Sequence, residues 1–253
     1  MARESKSKKW NWKLLAGIAL FAAAGASTAM AGLQLRQYLA TDPRFYLSRE
    51  TKGAFQIEGV RYASRSKILR VFAPDFDHSI FSTSLAERRR KLLAIDWVED
   101  ASISRIWPDR LIVRVRERQP VAFVSLRAGV LLIDRTGVLL DPPAQAVFTF
   151  PVLSGIGEGD SAQVRRERVR TFLDFQADMS YQAKDVSEVD ATDPDNVRIV
   201  AQVGNRALEL LMGDRNFGRR YQNFLTHYPE IQKRSPEGKV FDLRLDDRIT
   251  AKD

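Results

Sequence analysis

Two histidines, His78 and His227, are where a search for chemistry starts, because imidazole ligates metals and moves protons near neutral pH. Neither has a second histidine three or four residues away, the spacing that sets two ligands on one helix face. The chain has no cysteine, which excludes a thiolate metal site, a thiol nucleophile and a disulfide frame. No GxSxG elbow marks a serine nucleophile. Gly155-Ile156-Gly157-Glu158-Gly159 lies between a short apolar run and a helical pattern, the setting of a phosphate cradle. The third glycine of such a cradle would fall at Asp160, whose carboxylate repels phosphate, and no Walker lysine comes after it. The spacing therefore predicts a turn, with Asp160 or Ser161 capping the next helix. Asp185, Glu188, Asp190, Asp193 and Asp195 form an acidic cluster without EF-hand spacing or its glycine, so a solvated strand and turn is expected. No residue is assigned to catalysis, to a cofactor or to a metal, and the chain is not expected to be an enzyme or to take a small-molecule substrate.

Binding chemistry remains. The net charge is +8, a statement about association and not about fold. Arg88-Arg89-Arg90-Lys91 and Arg165, Arg166, Arg168 and Arg170 lack interleaved aromatics, so no stacking platform for nucleic acid is expected. Both runs read as solvated helix faces. The stretch with the strongest claim is Lys239-Val240-Phe241-Asp242-Leu243-Arg244-Leu245, read as a last strand at a sheet edge. An open edge accepts a partner's strand: backbone hydrogen bonds supply affinity and alternate side chains supply choice. From the residues alone, an ordinary edge strand blunted by Lys239, Asp242 and Arg244 stands beside that reading.

The elements that must position these residues begin at a basic N-terminus. Residues 1–13 are basic, with Trp10 and Trp12 at their end. Leu14 to Leu33 is a 20-residue run without a charge, the length of a membrane-spanning helix. The basic side is expected to stay in the cytoplasm, with the tryptophans at the headgroups. A cleaved signal peptide with Ala29-Met30-Ala31 at its cleavage site is the competing reading, and both readings export the remainder of the chain. Residues 34–52 are expected to be a linker with a helical stub. Residues 53–119 predict a strand, two helices and two further strands: Phe55 to Val60, a helix capped by Ser64, a helix with the Ser84–Glu87 capping box, and a hairpin turned at Pro108-Asp109. Residues 120–248 predict a β-rich domain with two helices, about Ser161 to Met179 and Asn216 to Tyr228, the second ended by Pro229. Residues 249–253 are expected to be a frayed tail. The class is α+β.

This order, with these residues, resembles the FtsQ/DivIB cell division family. The resemblance rests on Phe55, Ile57, Gly59 and Val60; on Ser79, Ile80, Phe81 and Leu85; and on the block from Trp97 to Ala122, with Arg105, Trp107, Pro108, Glu117, Arg118 and Pro120. In the second half, Asp134 with Gly137, Pro151 to Gly155, Gly213 with Asp214, and Val240 to Arg244 fit the same family. It implies an uncleaved single-pass protein of the inner membrane, N-terminus cytoplasmic, with a POTRA-like domain and a β domain outside. It implies a non-enzymatic scaffold of septum assembly in which the POTRA domain docks with another divisome component. The final strand, Lys239 to Leu245, would bind the small single-span partners FtsB and FtsL. The family often has an aromatic residue where Leu245 stands and a longer tail. The second reading is an exported POTRA-containing outer-membrane assembly or secretion factor, which would need further POTRA units or a barrel.

Overall fold

A computed structural model describes residues 12–144, 146–245 and 248–252. Residues 1–11, including Trp10 and most of the basic stretch, lie outside the described residues. Helix α1 runs from Trp12 to Thr41, well past the expected end at Leu33. Its segment Ala16–Thr41 has 26 residues and holds an 18-residue window of mean hydropathy 1.6, long and apolar enough to cross a membrane. At the usual rise that is about 39 Å, against the roughly 30 Å of a hydrocarbon core. Hydroxyls within it are satisfied internally: Ser27 donates to the Ala23 carbonyl (2.9 Å) and Thr28 to Gly25 (2.9 Å). That is the arrangement an apolar solvent demands.

The chain divides into two compact units. The first takes in residues 1–60, 64–95 and 100–115. Strand β1 (Phe55–Glu58) is succeeded by α2 (Arg65–Phe72) and α3 (Leu85–Leu93), then β2 (Val98–Ile106) and β3 (Arg110–Glu117). This is the expected order. The sheet runs β1-β3-β2, with β1 parallel to β3 and Phe55 opposite Leu111. Ser64 and Ser84 cap their helices, accepting from the amides of Lys67 and Glu87. Glu87, expected to reach back to its cap, pairs instead with Lys91 at 2.8 Å. Ile68, Phe72, Leu92, Leu111 and Val113 fill the core. Gly59 adopts φ +77°, and a Cβ there would sit 2.1 Å from the Val115 carbonyl oxygen, so only glycine fits.

Two expectations for this unit are corrected. Residues 34–52 open on the expected helical stub, which ends at Thr41, but the rest of the segment is docked on the first unit and does not act as a linker. Pro43–Phe45 forms a turn capped by Asp42, Ser79 donates to the Leu39 carbonyl at 2.6 Å, and Tyr46 and Leu47 bridge to Ser79 and Phe76. Phe45 and Leu47 are buried, and Phe45 packs edge-on against Tyr38 and Phe81. Two apolar side chains among polar neighbours were enough to dock the segment. Arg88 does not lie on a solvated face: it is buried and forks onto Asp75, Nε to Oδ2 at 2.6 Å and Nη2 to Oδ1 at 3.0 Å. That pairing raises its already high pKa.

The second unit takes in residues 61–63, 96–99 and 116–253. Its elements are β4 (Pro120–Leu126), β5 (Gly129–Asp134), β6 (Leu139–Leu140), β7 (Val152–Ser154), α4 (Ala162–Met179), β8 (Val186–Asp190), β9 (Val197–Val203), β10 (Arg206–Gly213), α5 (Phe217–Arg234), β11 (Val240–Asp242) and β12 (Thr250–Lys252). They form one nine-stranded sheet, ordered β12-β11-β10-β9-β8-β7-β4-β5-β6. Both helices present aromatic stripes to it: Phe172 and Phe175 from α4, Phe217, Tyr221, Phe224 and Tyr228 from α5. Pro229 does not end α5, against expectation, and the helix continues to Arg234. Ile231, packed against the same core as Tyr228, keeps the last turns on the sheet despite the donor that proline lacks.

Candidate functional site

The terminal strands are placed by a crossover. Strand β10 leaves the sheet through α5, and the chain returns as β11, parallel to β10, with Glu209, Leu210 and Leu211 opposite Val240, Phe241 and Asp242. The Glu209 amide donates to the Lys239 carbonyl (2.9 Å) and the Leu243 amide to Leu211 (3.0 Å). A parallel neighbour needs a connection of this kind. Side chains then alternate. Phe241 and Leu243 point into the core, fully and almost fully buried, with the Phe241 ring 5.3 Å from that of Phe224 and 6.1 Å from Tyr228. Lys239, Arg244 and Leu245 are exposed, and Val240 and Asp242 are half-buried.

Arg244 clasps Asp242, Nε to Oδ1 at 2.9 Å and Nη2 to Oδ2 at 2.6 Å, while its Nη1 reaches Asn196 Oδ1 at 3.0 Å. Its pKa is raised by Asp242. Arg220, buried beneath, donates to the Met212 carbonyl (2.6 Å) and stands 3.9 Å from Asp214. Val240 and Arg244 also border a cavity of about 480 Å³ with Asp190, Asp193 and Arg198. The acidic cluster here closes on its own backbone: Asp190 accepts from the Thr192 amide and hydroxyl, and Asp193 from the Asp195 amide and Asn196. Asn196 is the main reason that the Asp193 carboxyl is held below the usual carboxylate range.

The expectation that Lys239 to Leu245 is the last strand, with an open margin, is not met. Strand β12 lies antiparallel on β11, with Val240 opposite Lys252, Phe241 opposite Ala251 and Asp242 opposite Thr250. Among the described residues the margins of the sheet are β12 and β6. The physical reason is a period-two pattern in a tail expected to fray: Ile249 and Ala251 alternate with Arg248 and Thr250 and pack against the core. Phe241, for its part, is core and not contact surface.

The other candidates fall out of the site. His78 Nδ1 hydrogen-bonds the Phe76 carbonyl, and His227 the carbonyl of Asn223, one turn back. At the glycine-rich turn Ser161 caps α4, accepting from the Val164 amide, and Asp160 accepts from the Gly157 amide at 2.7 Å. Of the α4 arginines, Arg165 is drawn to the Gly137 carbonyl (2.9 Å) and Arg168 pairs with Asp160.

Comparison with known proteins decides what this architecture is. A family described as "POTRA domain, FtsQ-type" matches residues 53–118, and one described as "Cell division protein FtsQ/DivIB, C-terminal" matches residues 122–244. The chain belongs to the FtsQ/DivIB cell division family. FtsQ of Koribacter versatilis is 33% identical over 206 residues, covering 79% of this chain and 59% of that protein. FtsQ of Zymomonas mobilis is 31% identical over 124 residues, 48% of this chain and 39% of that protein. FtsQ of Novosphingobium aromaticivorans is 29% identical over 248 residues, 94% of this chain and 73% of that protein. This chain therefore spans less than two thirds of the first two FtsQ proteins. A solved extracytoplasmic domain of DivIB from Geobacillus stearothermophilus aligns at 21% identity and a TM-score of 0.28, over 47% of this chain and 95% of that one. The FtsQ-family match ends at residue 244, so β11 lies inside it and β12 beyond it. An apolar helix ahead of both FtsQ-type domains fits a single-pass membrane protein.

Proposed function

We propose that this chain is a non-enzymatic scaffold of septum assembly. Helix α1 holds it in the inner membrane with the N-terminus cytoplasmic, and both folded units lie outside. Small single-span partners of the FtsB and FtsL kind add a strand at the end of the nine-stranded sheet that β11 and β12 form. The POTRA domain docks with a second divisome component. The observation that carries the reading is the end of the sheet: β12 stands at the margin on β11, which is fixed by β10 and by the burial of Phe241 and Leu243, while Lys239, Arg244 and Leu245 stay exposed beside it. Strand addition needs an exposed sheet margin, and among the described residues that margin is β12 on this side. The anchor raises the effective concentration of partners held in the same membrane.

Two measurements test this. Protease protection on spheroplasts should digest the folded units and spare the N-terminal tail. Pull-down from membranes should recover single-span coiled-coil division proteins, and Leu245→Glu should reduce that recovery severalfold at an unchanged melting temperature. Full recovery with Leu245→Glu would remove this end of the sheet from consideration.

A further inference from the structure

We propose that the tip of the β2–β3 hairpin is a second membrane foothold: Trp107, with Ile106 beside it, sits in the headgroup layer next to the end of α1. The occupant of this surface is a lipid interface. Of the reading above, this requires only that α1 spans a membrane. Trp107 is 71% exposed and Ile106 37%. An indole is a large apolar body with one polar edge, and it settles where hydrocarbon meets water. At a hairpin tip in open solvent it would gain nothing from that character.

Helix α1 sets the level of the tip. Its uncharged run ends at Leu35, and Arg36 is the first charge after Lys13. A hydrocarbon core of roughly 30 Å takes about 20 helical residues, so Arg36 marks its rim and Tyr38, two residues on, stands among the headgroups. Phe45 carries that level to the hairpin: its ring lies 5.9 Å from Tyr38 and 6.3 Å from Trp107. Trp107 is thus no further from Tyr38 than those two steps laid end to end. The link is also stiff. Arg105, at the root of the tip, donates to the carbonyls of Ile80 and Thr83, each at 2.6 Å. The Ile80 amide donates to the Phe45 carbonyl (2.9 Å), and the Ser79 hydroxyl to the Leu39 carbonyl (2.6 Å). Hairpin tip and helix end therefore move as one piece. The charges beside the indole, Asp109 and Arg110, are opposite in sign, so the tip selects the interface and not a particular headgroup. A lone helix leaves the unit above it free to tilt and swivel. A second contact, off the helix axis, removes that freedom and fixes which face of the first unit looks along the membrane.

The test places the full chain in nanodiscs, where both faces of the bilayer meet solvent. Trp10 and Trp12 are replaced by Phe, which leaves Trp107 and the buried Trp97 as emitters. Phospholipid brominated near the glycerol end of its chains should quench Trp107 severalfold more than phospholipid brominated near the methyl end, and iodide in the solvent should barely reach it. The same protein with Trp107→Phe is the blank, since Trp97 should answer to neither quencher. A nitroxide on Arg110→Cys, a unique site because the chain has no cysteine, then reports depth. Oxygen should reach it more readily than a water-soluble nickel chelate does, and Trp107→Glu should reverse that order at an unchanged melting temperature. A Trp107 open to iodide and untouched by either brominated lipid overturns the proposal and leaves the tip to a protein partner. So does a nitroxide depth that Trp107→Glu does not alter. The quenching measurement keeps the natural side chain and decides the matter even if Trp107→Glu fails to fold. A form keeping Trp12 and Trp97 alone reports the spanning helix: without quenching of Trp12 the anchor itself fails, whereas quenching of Trp12 but not of Trp107 sinks the foothold alone.

Discussion

Arg88 shows how a charge in a basic run ends up in a core. It comes after Glu87 and before three more cations, yet it is buried and forks onto Asp75, thirteen residues back and itself buried. A buried pair of this kind adds little over a hydrophobic pair but is costly to break. Asp75→Ala should therefore destabilise the first unit by about 3–5 kcal/mol, since it strands the guanidinium, and Asp75→Leu with Arg88→Met should recover most of it. Urea unfolding of the single and double variants checks this. Tyr221 is a second buried polar group. Its hydroxyl has no hydrogen-bond partner among the described residues, and burial, with the charge of Asp185 second, pushes its pKa from 10.0 up to about 12. The unfolded chain loses that proton near pH 10 while the folded one keeps it. Stability from this group is thus complete below pH 10 and drains away as pH rises toward 12. Tyr221→Phe should gain about 1 kcal/mol at neutral pH by removing the unpaired hydroxyl, and should flatten the loss between pH 10 and 12. Chemical denaturation across that pH range reads both effects.

At the scale of elements, Phe241 ties the terminal strand β11 to the core. Its ring closes a cluster with Phe224 and Tyr228 and is fully buried. Phe241→Ala should cost about 3–5 kcal/mol of stability, visible as a fall in the denaturation midpoint, whatever it does to binding. The sequence could be read this far because alternation and capping act locally: β1 to β3, the Ser64, Ser84 and Ser161 caps and the strand–helix–strand return to β11 all lie where period and cap placed them. What it hid depends on partners distant in sequence. Nothing in Phe45 or Leu47 announces that the segment from Phe76 to Ile80 will hold them, and Pro229 gives no hint that Ile231 will keep α5 on the sheet. The tail does carry a local signal, since Ile249 and Ala251 share the two-residue period of the other strands, but two apolar residues make a pattern too short to outweigh a chain end.

For the whole molecule, the join between membrane helix and first unit sets where an independent fragment must begin. Helix α1 ends at Thr41, and by Phe45 the chain is already in the core, with Leu39, Phe45 and Leu47 all bonded to the segment around Ser79. A fragment starting at residue 36 keeps these contacts; one starting at residue 48 loses two buried apolar side chains, Phe45 and Leu47. The shorter fragment should lose about 2–5 kcal/mol from the first unit, a difference that thermal or urea unfolding of the two fragments will resolve. Partner capture should fall in both, and for another reason: each has left the membrane, and with it the effective concentration that confinement provides. Fusing an unrelated spanning helix to residue 36 should restore capture fully, whereas the same helix at residue 48 should restore it only in part. Full restoration from residue 48 would mean that Phe45 and Leu47 decorate the first unit and do not hold it together.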